Sequence, residues 1–145
     1  MPMPEQWLIW ALLSAVFAAL TAVLAKLGVK DVDADLAMAL RTVVVCALVL
    51  PLVWITGKWS NPLQLPARTL GYLVLSAVAT GASWLCYFRA LQVGEAFRVA
   101  PVDKLSVVLV AVFAFFILGE RPAPKDWLGI MLMAAGLLLL VIKKG

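Results

Sequence analysis

Four basic side chains lie within or at the ends of long apolar segments of this sequence: Lys26, Arg41, Arg89 and Lys104. A cation at the centre of a membrane-spanning helix costs about 2.5 kcal/mol or more, and less near the helix end. Arg41 and Arg89 lie a turn or more inside their segments, so we expect them to face the protein interior. Because lysine and arginine attract oxyanions, these residue types predict a binding site for a solute with an anionic or zwitterionic group.

Small residues accompany two of these cations at helical spacing. Ala22 and Ala19 lie on the same predicted helix face as Lys26, and Ala82 shares a face with Arg89. Small side chains let helices approach closely or leave room for a ligand. With two aromatic side chains nearby, the pattern predicts a cationic vestibule that narrows into an apolar chamber. The predicted substrate-binding residues are Lys26, Arg41, Trp84, Tyr87, Arg89 and Lys104.

Structural roles are the alternative for the charged residues nearest the segment ends. Lys26 and Lys104 can extend to the lipid headgroups and pair with acids in the loops. Asp103 follows Pro101 in the first turn of the fourth segment, and an acid there favours the positive end of the helix dipole. We predict that Asp103 and Glu95 act at this helix start and in ion pairs, with Asp103, Glu95 or a bound anion as the partner of Lys104.

Five apolar segments must position these side chains, and each approaches the length of about 20 residues that a helix needs to cross a bilayer. They are residues 7–28, 36–56, 69–91, 99–118 and 127–142. We predict an all-α integral membrane protein, a bundle of five transmembrane helices that forms a single domain over residues 1–145. Such a chain is a multi-pass protein of the plasma (inner) membrane.

The composition excludes several classes of protein. Hydrophobic residues make up 65% of the chain, charged residues make up 14%, and the mean hydropathy is +1.05, far outside the range of soluble globular proteins. The net charge of +4 comes from basic residues that flank apolar segments, which indicates membrane topology rather than nucleic-acid binding. The sequence has no histidine, phosphate-binding loop or nucleophile constellation, so we expect no enzyme activity, metal site or cofactor.

The positions of the charges bear on orientation in the membrane. Because the predicted chain crosses five times, every charge that intrudes into a segment enters from the same face. The loop cations are evenly divided between the two membrane faces, as insertion in both orientations requires. When the cations within the segments are counted as well, the charge bias favours a cytoplasmic C-terminus. The loop cations are Lys30, Arg98, Lys143 and Lys144 on one face, and Lys58, Arg68, Arg121 and Lys125 on the other.

The order of several short motifs gives the chain a family resemblance. The C-terminal half has an A-L-x-x-G connection at 90–94, a proline-led fourth segment, an L-G-E-R-P turn at 118–122 and a W-L-G start of the last segment at 127–129. It resembles the second part of an EamA domain, in the drug/metabolite transporter superfamily. The N-terminal half, with Lys26 ending the first segment and Arg41 in the second, is similar to the small five-helix bacterial and archaeal members.

The resemblance implies a secondary-active transporter, an exporter or exchanger of a small metabolite that works by alternating access. Larger members resemble two five-helix units fused in opposite orientations, so a single unit is a half-transporter. An odd number of spans inverts the second unit, which gives an inverted repeat around the substrate. The implied partners are the lipid bilayer, a small solute and a second unit, either in a homodimer, which can be antiparallel, or in a heterodimer with an unlike half.

Two other functions are compatible with the same residues. A flippase-type subunit for a lipid-linked phosphate would use these cations and would need a lateral opening to lipid. A non-transporting assembly or partner protein would instead present its arginines to lipid or to its partner, without an enclosed cavity.

Small multidrug exporters of the superfamily depend on a glutamate in the first span, and this first segment has none.

Overall fold

The computed structural model describes residues 6–142, which are helical apart from short connections. Lys143 and Lys144, two of the cations counted for orientation, lie outside the described residues. The α-helices are α1 (Gln6–Gly28), α2 (Ala34–Ile55), α3 (Ala67–Val93), α4 (Ala96–Asp103), α5 (Ser106–Phe113) and α6 (Pro124–Val141). A 3₁₀ turn at Pro62–Gln64 and a π-helical turn at Ala114–Leu118 lie between them.

Five helical segments of the described chain are long and apolar enough to cross a membrane. They are α1, α2, α3, the segment Ala96–Leu118 that contains α4 and α5, and α6. The all-α membrane fold expected from the sequence is therefore confirmed. The chain divides into two compact units between Val93 and Gly94, and a single domain over residues 1–145 remains a prediction.

The first unit has its core at the end where α1 stops and α2 begins. Val29, Ala34, Phe88 and Leu91 are buried there, each with at most 3% of its surface exposed. Asp33 ends the connecting loop, and its Oδ1 accepts hydrogen bonds from the backbone N–H groups of residues 35 and 36 at 3.0 and 3.3 Å. This side-chain cap satisfies two of the N–H groups that have no partner within the helix, and so defines where α2 starts.

Away from this core, long apolar side chains of the first unit are exposed at the protein surface. Phe17 on α1 and Leu48 on α2, for example, are 65% and 68% exposed. In a bilayer such side chains contact lipid at little cost, because lipid tails are as apolar as the side chains themselves. The low burial of the spans is therefore consistent with a chain whose solvent is the membrane.

The fourth span of the second unit is broken, and the prediction that Pro101 and Asp103 begin it is wrong. Helix α4 begins at Ala96, so that Pro101 lies inside it and Asp103 is its last residue. A proline inside a helix lacks the N–H for the ladder and crowds the preceding turn. The chain tightens after it, with the N–H of Lys104 donating to the carbonyl of Pro101 at 2.9 Å, before α5 starts two residues later.

A left-handed glycine closes the fourth span. After the π-helical turn, Gly119 adopts φ of 69°, a conformation in which L-residues with a Cβ are strained. The N–H of Glu120 then donates to the carbonyl of Ala114 at 3.1 Å. Asp126 accepts a hydrogen bond from the N–H of Ala123 at 2.8 Å, at the start of α6. The L-G-E-R-P segment is thus a tight connection between two helices.

Candidate functional site

A cavity of about 410 Å³ lies in the first unit and is lined by α1, α2 and α3. Apolar side chains form most of its wall, among them Leu24 of α1, Leu40 of α2 and Phe88 of α3. Its polar lining residues are Thr21 and Arg41. This volume lies within the range of about 300–1,000 Å³ typical of small-molecule sites, which are mostly apolar with a few placed polar groups.

Arg41 is held against two aromatic rings of α3. The centre of its guanidinium group lies 4.8 Å from the ring centroid of Trp84 and 5.5 Å from that of Phe88. These two aromatic residues are one helical turn apart, so both rings lie on the same face of α3. Such cation–π contacts position a guanidinium without neutralising it. Within residues 6–142, no carboxylate forms a salt bridge with Arg41.

Arg89 has a different environment, because it pairs with Asp35. Its Nε lies 3.1 Å from Oδ1 of Asp35 and its Nη2 lies 2.8 Å from Oδ2, a bidentate salt bridge. The pair joins the first turn of α2 to the last two turns of α3. Arg89 therefore has a carboxylate counterion, whereas Arg41 has none among the described residues.

Two further hydrogen bonds join the elements at the same end of the first unit. Lys26 donates from Nζ to the backbone carbonyl of Leu91 in the last turn of α3. Gln92 donates from Nε2 to the carbonyl of Val32, in the loop between α1 and α2, at 3.1 Å. Carbonyls in the last turn of a helix have no partner within the helix, so Lys26 has a structural role here beside its predicted role in binding.

The remaining predicted residues lie apart from the cavity lining. The ring of Tyr87 makes an edge-to-face contact with Phe88, with centroids 6.5 Å apart. In the second unit, Lys104 Nζ lies 3.6 Å from the carboxylate of Asp103, which is one of the pairings expected from the sequence. Glu95 pairs with Arg98 at 3.4 Å and immediately precedes α4.

Sequence reasoning missed three residues of this region. Phe88 and Thr21 line the cavity, and Asp35 holds Arg89. Phe88 follows Trp84 by four residues, a spacing that places both on one helix face and that would have predicted a paired aromatic surface. The predicted second segment begins at residue 36, whereas Asp35 lies in the first turn of α2, where it can reach α3.

A second cavity of about 390 Å³ lies between α2 and α3, and it is less suited to a charged ligand. Its lining includes the hydroxyl groups of Thr42 and Thr80. These hydroxyls donate to the carbonyls four residues earlier in their own helices, each at 2.9 Å. Their donors are therefore already used, and the cavity beside Arg41 is the better candidate for the functional site.

Comparison with known proteins supports a role in transport. A model described as the EamA-like transporter family matches residues 5–142. A protein of Sinorhizobium sp. named "Uncharacterized transporter in cobO 3'region" is 53% identical over 140 residues, covering 97% of this chain and 99% of the relative.

A second relative matches over a shorter region. It is a protein of Pectobacterium atrosepticum named "Probable 4-amino-4-deoxy-L-arabinose-phosphoundecaprenol flippase subunit ArnE". It is 33% identical over 75 residues, which are 50% of this chain and 64% of the relative. No solved structure matches the chain.

Proposed function

The chain belongs to the EamA-like transporter family, and we propose that it is a secondary-active exporter or exchanger of a small metabolite with an anionic or zwitterionic group. As a member of that family with five candidate spans among its described residues, it is a multi-pass transporter of the inner membrane. The bound solute and the transport cycle are the subject of the proposal. The observation that carries it is the position of Arg41 in an apolar cavity.

Arg41 supports this function because of its contacts. The two ring faces hold its guanidinium at the cavity wall, and its edge donors have no carboxylate partner within residues 6–142. A charged group inside a membrane segment is a functional-site hypothesis by default, since it is retained there against its desolvation cost. An oxyanion of the solute would supply the missing counterion.

We propose that two such units form the working transporter. Transporters with inverted repeats bind substrate near the bilayer midplane, where the two repeats meet, and alternate access by moving one repeat against the other. The described residues contain one set of five candidate spans, so a second copy in the opposite orientation, or an unlike half, would supply the other repeat.

A flippase-type subunit for a lipid-linked phosphate is the second candidate function. It is supported by the relative whose name includes "flippase subunit", which is 33% identical over half of this chain. In this case Arg41 would bind the phosphate while the apolar lining contacts the lipid chain. Basic pockets between transmembrane helices bind phosphorylated lipid headgroups in other membrane proteins.

Transport by the full-length chain in proteoliposomes tests the proposal. Uptake and exchange of labelled carboxylates, amino acids and sugar phosphates would be measured for the wild type, Arg41→Gln and Arg68→Gln. Arg68 is a matched control, because its guanidinium lies 5.7 Å from the ring of Tyr72 but it does not line the cavity. We expect transport of at least one solute class that Arg41→Gln loses and Arg68→Gln retains.

Two results would count against the proposal. Transport that is equal in the wild type and Arg41→Gln would remove Arg41 from the site. Absence of transport for every soluble class, together with movement of a fluorescent lipid phosphate between leaflets, would favour the flippase function.

A further inference from the structure

We infer that the cavity beside Arg41 selects an anionic group on an apolar body and discriminates against zwitterions and cations. The inference rests on the proposed function, because it names the substrate class for the same site. It depends on which charged groups and aromatic rings of the protein a ligand in the cavity would meet.

The first observation is the balance of charge in the lining. Arg41 is basic and Thr21 is neutral, while the remaining described lining residues are apolar and none is acidic. An ammonium group placed in this cavity would meet the guanidinium of Arg41 and no carboxylate of the lining. Like charges repel, so binding of an ammonium group there is unfavourable.

The acids at the start of α2 are already engaged. Both carboxylate oxygens of Asp35 accept hydrogen bonds from Arg89, at 3.1 and 2.8 Å. Asp33 caps α2 through Oδ1, which accepts from two backbone N–H groups. Each of these acids therefore already has a partner within the protein, and neither lines the cavity, so neither is placed to pair with an ammonium group there.

The aromatic surfaces beside the cavity are engaged as well. Sites that bind ammonium groups without an acid use the faces of aromatic rings. Here the guanidinium of Arg41 lies over both Trp84 and Phe88. A ligand cation that approached these rings beside Arg41 would meet its like charge.

The guanidinium itself fits an oxyanion. The N–H donors of Arg41 have no carboxylate partner among the described residues, and a carboxylate or phosphate can accept two parallel hydrogen bonds from the edge of a guanidinium group. Leu24, Leu40 and Phe88 supply an apolar surface for the rest of the molecule. The same chemistry suits a free organic anion and a lipid phosphate.

A series of ligands that differ only in charge tests this inference. The full-length chain in nanodiscs of neutral lipid would be titrated calorimetrically with 4-phenylbutyrate, 2-amino-4-phenylbutyrate, 4-phenylbutylamine and 4-phenylbutanamide. These probes share one apolar body and are an anion, a zwitterion, a cation and a neutral amide. We expect the anion to bind about tenfold or more tightly than each of the others, because a site whose groups find no partner in a ligand rejects it strongly.

Variants assign the preference to the cavity. Arg41→Gln should lose about tenfold or more in affinity for 4-phenylbutyrate, as expected when a charge-assisted pair of hydrogen bonds is removed, and Arg68→Gln should bind as the wild type does. Equal binding of the zwitterion and the anion by the wild type would overturn the inference, as would unchanged affinity in Arg41→Gln. If Arg41→Gln does not fold, the wild-type series decides the question by itself.

Failure of this inference is distinguishable from failure of the proposed function. Preferential binding of 4-phenylbutyrate with no transport of any solute would sustain the inference and reject transport. Arg41-dependent transport of an amino acid, together with equal affinity of the wild type for the zwitterionic and the anionic probe, would support transport and reject the inference.

Native mass spectrometry identifies the source of the anion when the ligand series supports the inference. Phosphatidic acid retained by the wild type and lost in Arg41→Gln would support the inference with a lipid phosphate as the natural ligand. Binding of 4-phenylbutyrate without retained phospholipid would support it with a free organic anion.

Discussion

Arg89 binds both carboxylate oxygens of Asp35, with Nε 3.1 Å from Oδ1 and Nη2 2.8 Å from Oδ2. This salt bridge connects helices α2 and α3 at the end of the first unit where its core lies. It also gives the two span arginines of this unit different partners, since Arg41 contacts aromatic rings instead of an acid. We expect Arg89 to maintain the structure and Arg41 to bind the solute.

Exchanging the charges of Asp35 and Arg89 should preserve part of the stability that their salt bridge provides. We expect Arg89→Asp and Asp35→Arg each to lower the thermal unfolding midpoint by about a few degrees at most, because each breaks a salt bridge whose side chains are more than half exposed, and exposed pairs contribute about 1 kcal/mol or less. The double variant Asp35→Arg with Arg89→Asp should recover part of the loss, since it restores opposite charges across α2 and α3. Thermal unfolding in mild detergent measures the effect. Additive losses in the double variant would show that the two side chains are not energetically coupled.

Phe88 should contribute to both stability and binding. It is 3% exposed and lies beneath Arg41 at the cavity wall. We expect Phe88→Ala to lower the free energy of unfolding by about 3 kcal/mol or more, as other buried Phe→Ala changes do. Phe17→Ala is the control, because Phe17 is 65% exposed and surface substitutions change stability by about 0.5 kcal/mol or less. Equal losses in the two variants would contradict the burial of Phe88.

Two glycines of the second unit should respond to alanine in opposite directions. Gly119 has φ of 69° and a Cβ there would meet no atom within 4 Å, so Gly119→Ala meets backbone strain alone. We expect a loss of about 1 kcal/mol or more. Gly129 lies in α6, also with open space around it, and Gly129→Ala should gain up to about 1 kcal/mol from helix propensity. Chemical unfolding of the full chain measures both, and a neutral Gly119→Ala would refute the strain.

Orientation in the membrane tests the proposed pairing of units. Fusions at the C-terminus to a reporter active in the cytoplasm and to one active outside it would be compared in intact cells. We expect signal from both, because the loop cations counted from the sequence are evenly divided between the faces. Signal from a single reporter would exclude an antiparallel homodimer, and would mean either that an unlike, inverted half is needed or that the chain works as a parallel assembly without an inverted repeat. Adding a cation to one loop, as in Gln64→Lys, should shift the signal toward one orientation.

Much of the fold was predictable because a membrane span is a property of a continuous segment. The apolar runs around Val23 and Leu48 each predict a helix without reference to any other part of the chain. The start of the fourth span was misassigned to Pro101, because proline is common at helix starts and the sequence does not indicate that the helix already begins at Ala96. Local signals therefore predicted that a span exists better than they predicted where it starts.

The sequence by itself determined an all-α membrane protein, its family and the set of cations available for a site. Only the tertiary structure decided which cation is neutralised and which is held at a cavity: Arg89 reaches an acid 54 residues away in the chain, and Arg41 reaches rings on α3. The physical reason is range. Hydropathy acts on the local segment and needs no partner, whereas ion pairs and cation–π contacts depend on distances of a few ångströms between helices, which only packing sets.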